Sequence, residues 1–437
     1  MLQTLVLILL GAVAAPGPRP ADDKLSTEID QRAAAANDQV ILWRRDIHQN
    51  PEMGNREVRT SGIVAEHLRK LGLEVRTGVA RTGVVGVLKG ALPGPVVALR
   101  ADMDALPVTE QVDLPFASKV RSTYNGQEVG VMHACGHDAH TAILMGTAQV
   151  LAGLRDRLPG TVKFIFQPAE EGAPTDEPGG AEVMVREGAM ENPRPEAIFG
   201  LHVMSPDEAG TIRTRPGGIL ASSDRFRIVV KGRQTHAARP WGGIDPIVAA
   251  AQIVTALQMI ESRQIDVTLA PGLVTVGTIH GGVRNNIIPD EVEMTGTLRA
   301  LDESMRLDIH QRVKRTAEMT AAAAGATATV EIFPGYPITY NDPELTRKMA
   351  PTLRAVAGET KASLESAVNL GSEDFSYFQK VAPGLYVILG IRAPSTPAEG
   401  FPSNHSPRFH IEEEARVLNL GVRTMSRLAV DYMRLKK

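Results

Sequence analysis

The chain carries a single cysteine, Cys135, among 437 residues. No intramolecular disulfide can form, and structural zinc modules built on four cysteines are excluded. Aromatic residues make up only 4%, so no large stacking platform is evident. Basic residues are not in excess: 47 Lys and Arg face 50 Asp and Glu, a net charge of -3, which argues against a nucleic-acid binder. The most apolar stretch, 5–15, spans about eleven residues, short of the ~20 that a membrane-crossing helix needs. No internal repeat is present. What the chain does have is 43% hydrophobic and 22% charged residues, enough to bury real cores, which rules out disorder as the whole story. Its length suits two or three domains of roughly 150 residues each.

Residues 1–15, MLQTLVLILLGAVAA, read as a secretory signal peptide with Ala12 and Ala14 as a small-x-small cleavage site, and 16–23 as a Pro-rich linker. No Lys or Arg precedes Arg19, so the amino terminus is the only positive charge ahead of the apolar run. The expectation is a periplasmic or secreted protein, with a cytoplasmic one as the alternative. A lone thiol tolerates an oxidising compartment if a metal holds it.

The apolar patterning predicts a helix over 24–48, stopped by Asn50-Pro51, and a second over 60–71 with Gly72 at its end. Short apolar runs at 83–88, 96–99, 162–166 and 198–203 read as strands, and 140–154 as a helix. Alternation of this kind implies an α/β unit with a mainly parallel sheet. From about 222 the pattern changes to strand 225–230, helix 244–263, strands 273–279 and 292–301, helix 304–324 and strand 327–333. The order βαββαβ is that of a ferredoxin-like unit. The simplest organisation is a catalytic domain in two parts, 24–217 and 337–437, with an α+β insertion at 218–336.

Chemistry concentrates in a few short stretches. In VMHACGHDAHTA, Cys135 and His137 alternate, so on extended backbone a thiolate and an imidazole would share a face and converge on one ion. A helix starting near His140 would favour the thiolate. A lone cysteine is ordinarily a small buried hydrophobe; three histidines, His133, His137 and His140, beside this one favour metal binding. His133 and His140 read as supporting rather than ligating. In VKFIFQPAEEG a buried strand delivers Glu170 and Glu171 to its carboxyl end, where open α/β sheets place their sites. Adjacent side chains diverge, so one carboxylate can hold metal while the other acts on a water. His202 ends another apolar strand, His405 lies in a Pro-rich loop, and Asp102 and Asp104 follow a third strand. Cys135, His137, Glu171, His202 and His405 exceed the three protein ligands of a typical catalytic zinc, which implies two ions.

As an ordered set, HQNPEMG, RADMDALPV, MHACGHDAHTA, QPAEEG, GLHV, His236-Ala237-Ala238, NNIIP, GSEDFSYF and NHSP resemble the aminoacylase/carboxypeptidase family of two-metal hydrolases from His48 onward. The resemblance is closer to the amidohydrolase branch that holds hippurate hydrolase, N-acyl-amino-acid amidohydrolases and plant auxin-conjugate hydrolases. It implies a zinc-exopeptidase-like catalytic domain with an inserted dimerisation lid. It implies two divalent ions per subunit (Zn, Mn, Co or Ni) held by Cys135, His137, Glu171, His202 and His405, with Glu170 as general base and Asp104 orienting the ligands. The wider family has histidine where this chain has Asp102. From the lid, His236 would donate to the substrate oxygen, commonly in the partner subunit's site. Asn286 and Arg299 would recognise a substrate carboxylate, with Asn285 sharing that role or only holding its turn. Glu373 and Asp374 would cap a helix and support the site.

The implied activity is hydrolysis of an N-acyl or N-aroyl amino acid to a carboxylic acid and a free amino acid, by a homodimer acting on a small molecule. A metallocarboxypeptidase or dipeptidase uses the same chemistry. A cysteine amidase built on Cys135 and His137, and a metal-dependent amino-acid-binding protein without turnover, are the remaining alternatives.

Overall fold

A computed structural model describes residues 24–174 and 177–435. The segments read as signal peptide and linker lie outside them. No helix among the described residues is long and apolar enough to cross a membrane.

The main sheet has eight strands in the order Glu74–Val79, Gly83–Lys89, Pro159–Gln167, Leu92–Asp102, Ala197–Glu208, Gly384–Arg392, Ile212–Arg213 and Ala362–Ser363. The four strands from Pro159–Gln167 to Gly384–Arg392 are parallel, and antiparallel pairs flank them. The sheet is thus mixed, with the expected parallel arrangement at its centre and in the short edge pair Ile212–Arg213 with Ala362–Ser363. Side chains alternate across it. Val97, Leu99, Phe164, Phe166, Phe199 and Leu201 pack on one face with helices Lys24–Gln49, His137–Ala152 and Glu414–Leu435. Ala98, Ile165 and Ile198 face the opposite way, toward Met184, Phe375 and Phe378 of two short helices. Burial on both faces explains the near-continuous apolar runs of these strands.

The helix at 24–48 was expected and spans Lys24–Gln49. The second is Val58–Lys70; it ends as expected because Gly72, at φ +74°, takes the left-handed turn that Cβ-bearing residues avoid.

The inserted segment forms a four-stranded antiparallel sheet, ordered Gly272–Gly281, Glu291–Ala300, Asp224–Lys231, Thr327–Phe333, with helices Pro246–Met259 and Glu303–Ala323. This is the βαββαβ arrangement, and it has its own core: Phe226, Ile228 and Val230 against Ile253, Leu257, Ile309 and Val313. The first helix is shorter than its apolar pattern suggests. Asp245 caps it by accepting from the amides of Ile247 (2.9 Å) and Val248, while 260–264 unwind into a wider π turn.

Candidate metal-binding active site

Strand ends, a helix start and two loops meet at the carboxyl edge of the parallel strands. Asp102 and Gln167 are register partners at the ends of adjacent strands, and His202 lies just beyond the last pairing of its strand with Leu92–Asp102, Arg100 with Gly200, while its other edge stays paired, His202 with Ile388. Cys135 and His137 converge by a route other than strand alternation. Gly136 adopts φ +94°, and the helix begins at His137 rather than near His140. Glycine is required there on two counts: the left-handed conformation, and a Cβ that would stand 2.3 Å from Val203 Cγ2. His405 is also left-handed, at φ +68°, with its amide donating to Ala134 O at 2.8 Å.

The five expected ligands come together. Cys135 Sγ is 3.3 Å from His202 Nε2 and 3.3 Å from His405 Nε2, and His405 Nε2 is 2.9 Å from Glu171 Oε1. Cys135, His137 and His202 form one compact triad, Cys135, Glu171 and His405 another, and His137, Glu170 and Glu171 a third. Tautomers are fixed from behind. His137 Nδ1 faces Asp104 Oδ1 at 3.2 Å, leaving Nε2 buried and without a hydrogen bond. His202 Nδ1 donates to Val203 O at 2.7 Å, so the lone pair of Nε2 is turned to the sulfur. Imidazoles held in this way present free lone pairs to a cation. His140 does not: its Nε2 accepts from Val203 N at 2.9 Å and its Nδ1 donates to Asp102 at 2.6 Å, in keeping with a supporting role. The second buried histidine of the motif, His133, has no hydrogen bond on either nitrogen, and burial lowers its pKa to about 3.

The acid loop is bound at successive amides. Glu57 Oε1 accepts from Ala169 N at 2.8 Å, and Asp104 accepts from Glu170 N and Glu171 N, one oxygen each, at 3.0 Å. Ala169 is left-handed at φ +52°, a conformation that persists only where surroundings impose it. Behind the loop, fully buried Arg100 binds Asp102 (2.6 Å), Glu373 (2.8 Å) and Asp374 (3.0 Å). The expected capping by Glu373 and Asp374 is only partly met. Glu373 accepts from Phe375 N, but Asp374 makes no cap bond to its own helix; it binds Arg100, Gln167 and Ala181 N at the start of another helix. Arg100, Gln167 and Ala181 N together offer more bonds than its own helix end does, and they set where that carboxylate points.

The charge pattern fits divalent cations. Burial, with Glu171 and Glu170 close by, pushes the Cys135 thiol well up; burial and Glu373 do the same to the Glu170 carboxyl. Burial works against protonated His137, yet Asp102 and Asp104 raise it to about 10. A thiol and several carboxylates in one dry pocket need positive charge to ionise together, and a mixed S, N and O donor set suits late first-row ions.

A cleft of about 430 Å³ opens on these groups, lined among others by Glu170, Met204, Leu220, Arg299, Tyr336 and Asn369. Arg299 thus reaches the site from its own chain. His236 and Asn286 do not line it. Both are exposed: His236 is on the short strand Thr235–His236, which pairs with Ile287–Ile288, and Asn286 is in the turn just before that second strand, where Ala237 N donates to Asn286 O at 3.0 Å. Ala238 N donates to His236 Nδ1 at 3.0 Å, which leaves the outward Nε2 as the donor.

The family profile described as peptidase family M20/M25/M40 matches residues 98–431, well over half the chain. The chain belongs to this family. Among its relatives, thermostable carboxypeptidase 2 of Saccharolobus solfataricus is 42% identical over 94% of this chain and 98% of its own length. IAA-amino acid hydrolase ILR1-like 2 of Arabidopsis thaliana is 39% identical over 99% of this chain and 94% of its own. A crystal structure from Bacillus subtilis, described as a dinuclear metal-binding peptidase of family M20, superposes with a TM-score of 0.76 at 36% identity, covering 92% of this chain and 99% of that one.

Sequence reasoning passed over Glu57 and Arg100, described above, and two residues more. Asn404 Nδ2 donates to Cys135 O (3.2 Å) and Val203 O (3.2 Å), pinning the cysteine loop to the histidine strand; its place beside His405 was the available signal. Tyr336 donates to Glu170 O at 2.7 Å, and no sequence signal marked it.

Proposed function

We propose that the chain is a metal-dependent amidohydrolase that cleaves N-acyl amino acids, with two divalent ions held by Cys135, His137, Glu171, His202 and His405. The observation that carries this reading is the convergence of those five residues beside Glu170, with imidazole lone pairs turned inward. Bound divalent ions supply Lewis acidity toward the amide carbonyl and make water more acidic. Glu170 takes the proton of the attacking water and passes it to the leaving amine. Asp104 keeps His137 and the Glu170-Glu171 peptide in register. Arg299 binds the substrate carboxylate through its planar fork.

His236 donates to the substrate oxygen. Its exposed position outside its own cleft supports delivery to a second subunit. Pairing through 218–336 is favoured by half-exposed Ile247, Val248 and Met259 on one helix and by the outer edge of strand Gly272–Gly281, which no strand among the described residues covers. The apolar stretch at 1–15 supports export.

The test is turnover of purified, metal-reconstituted protein on hippurate, N-acetyl amino acids and dipeptides. Release of free amino acid from the acylated compounds is expected. Hydrolysis of peptides alone would favour the carboxypeptidase reading, which rests on the likeness to the Saccharolobus enzyme. No turnover of any of them would overturn both.

A further inference from the structure

The main chain enters the four-stranded sheet of the insertion through Ser222 and Ser223 and leaves it through 334–338. These two crossings are joined: Ser223 N donates to Tyr336 O at 3.0 Å, and Tyr336 N to Ser223 Oγ at 3.3 Å. Asp224, fully buried, ties the same crossings to helix Glu303–Ala323 through Arg306 (2.7 Å), His310 (2.8 Å) and Gly335 N (3.0 Å). From this junction the phenol of Tyr336 reaches out of the insertion and donates to the backbone carbonyl of Glu170. The Glu170 peptide is therefore gripped from both sides, its amide by Asp104 and its carbonyl by Tyr336, with the amide before it held by Glu57.

We propose that Tyr336 is a positioning residue for Glu170, fixing the peptide that carries the general base to the junction between insertion and main sheet. This rests on the reading of Glu170 as the base. Without the phenol, the left-handed Ala169 turn loses one of its restraints, and the carboxylate can swing from its productive place. Misplacement by about 1 Å can cost on the order of a hundredfold in rate. Cation binding is untouched, because no ligand atom bonds to Tyr336 among the contacts described. The defect belongs in kcat rather than KM.

The test is Tyr336→Phe in the full-length, metal-loaded protein, on the best substrate of the acylated panel. A fall in kcat of about tenfold or more is expected, with KM, bound metal and Tm close to those of the parent. Tyr377→Phe, which removes a contact to Gly335 O on the same crossing, is the control and should leave kcat unchanged. A Tyr336→Phe enzyme with kcat within about twofold of the parent overturns the proposal. So does a loss confined to KM, which marks a substrate contact, or one matched by lost metal or Tm, which marks a structural role. Glu170→Gln separates the two levels: if it turns over normally the base assignment fails, whereas an inert Glu170→Gln beside an unaffected Tyr336→Phe sinks the positioning role alone. Should Tyr336→Phe not fold, 4-fluorophenylalanine placed at 336 fills nearly the same shape without an O–H to donate; an unchanged kcat there also overturns the proposal.

Discussion

Asp104 faces His137 with the same carboxylate that accepts the amides of Glu170 and Glu171. One residue thus sets an imidazole ligand and the acid loop relative to each other. Asp104→Asn turns one acceptor oxygen into a donor facing an N–H. Metal affinity is expected to weaken about 10- to 100-fold, as for other groups that orient ligands. Titration of apoprotein with Mn or Zn checks this; parent-like affinity would show the contact to be dispensable.

Among the described residues no Lys or Arg pairs with Glu170, and its carboxylate lies 3.8 Å from His137 Nε2. Glu170→Gln keeps the shape and removes the base. Bound metal should stay at the parent level while kcat falls by about 10² to 10⁴. Near-normal turnover would remove Glu170 from the mechanism.

Chelation takes the ions' positive charge away from Cys135, Glu170 and Glu171, and apoprotein should melt at lower temperature. A ligand at a hundred times its Kd stabilises by about 2.7 kcal/mol, so the shift is measurable by calorimetry. Metal added back should restore both Tm and activity. Activity that survives full chelation would favour the cysteine amidase.

Arg299 lines the cleft and Arg suits bidentate carboxylate binding. Arg299→Ala should raise KM for N-acyl amino acids far more than it lowers kcat, and should barely affect amides lacking the carboxylate. Equal effects on both substrates would place the carboxylate elsewhere.

Asp224 gives a pH prediction. Burial alone would raise its pKa, but hydrogen bonds from Arg306 and His310 outweigh that and hold it well below the usual range. A depressed folded pKa means stability that is present above the unfolded value of about 3.9 and is lost as pH falls toward the folded value. Asp224→Asn should therefore cost about 3 kcal/mol near pH 7, the typical effect of leaving a buried partner unpaired. The gap to the parent should narrow below about pH 4. Denaturant melts across pH measure it; a gap independent of pH would argue against the charge.

Local chemistry made much of this protein legible in its sequence. The apolar runs gave the central strands because burial on both faces demands them, and the βαββαβ order of the insertion followed from change of period alone. Cys135, His137, Glu171, His202 and His405 stood out because few structural roles require such residue types in such short stretches. The tertiary structure alone decided the rest. Whether His140 ligates depends on Val203 N, which arrives from another strand; where Asp374 points depends on Arg100, Gln167 and Ala181 N, all far away in the chain. The grip of Tyr336 on Glu170 joins residues 166 positions apart. Hydrogen-bond partners of this kind are set by how distant segments pack, and a one-dimensional pattern carries no record of that.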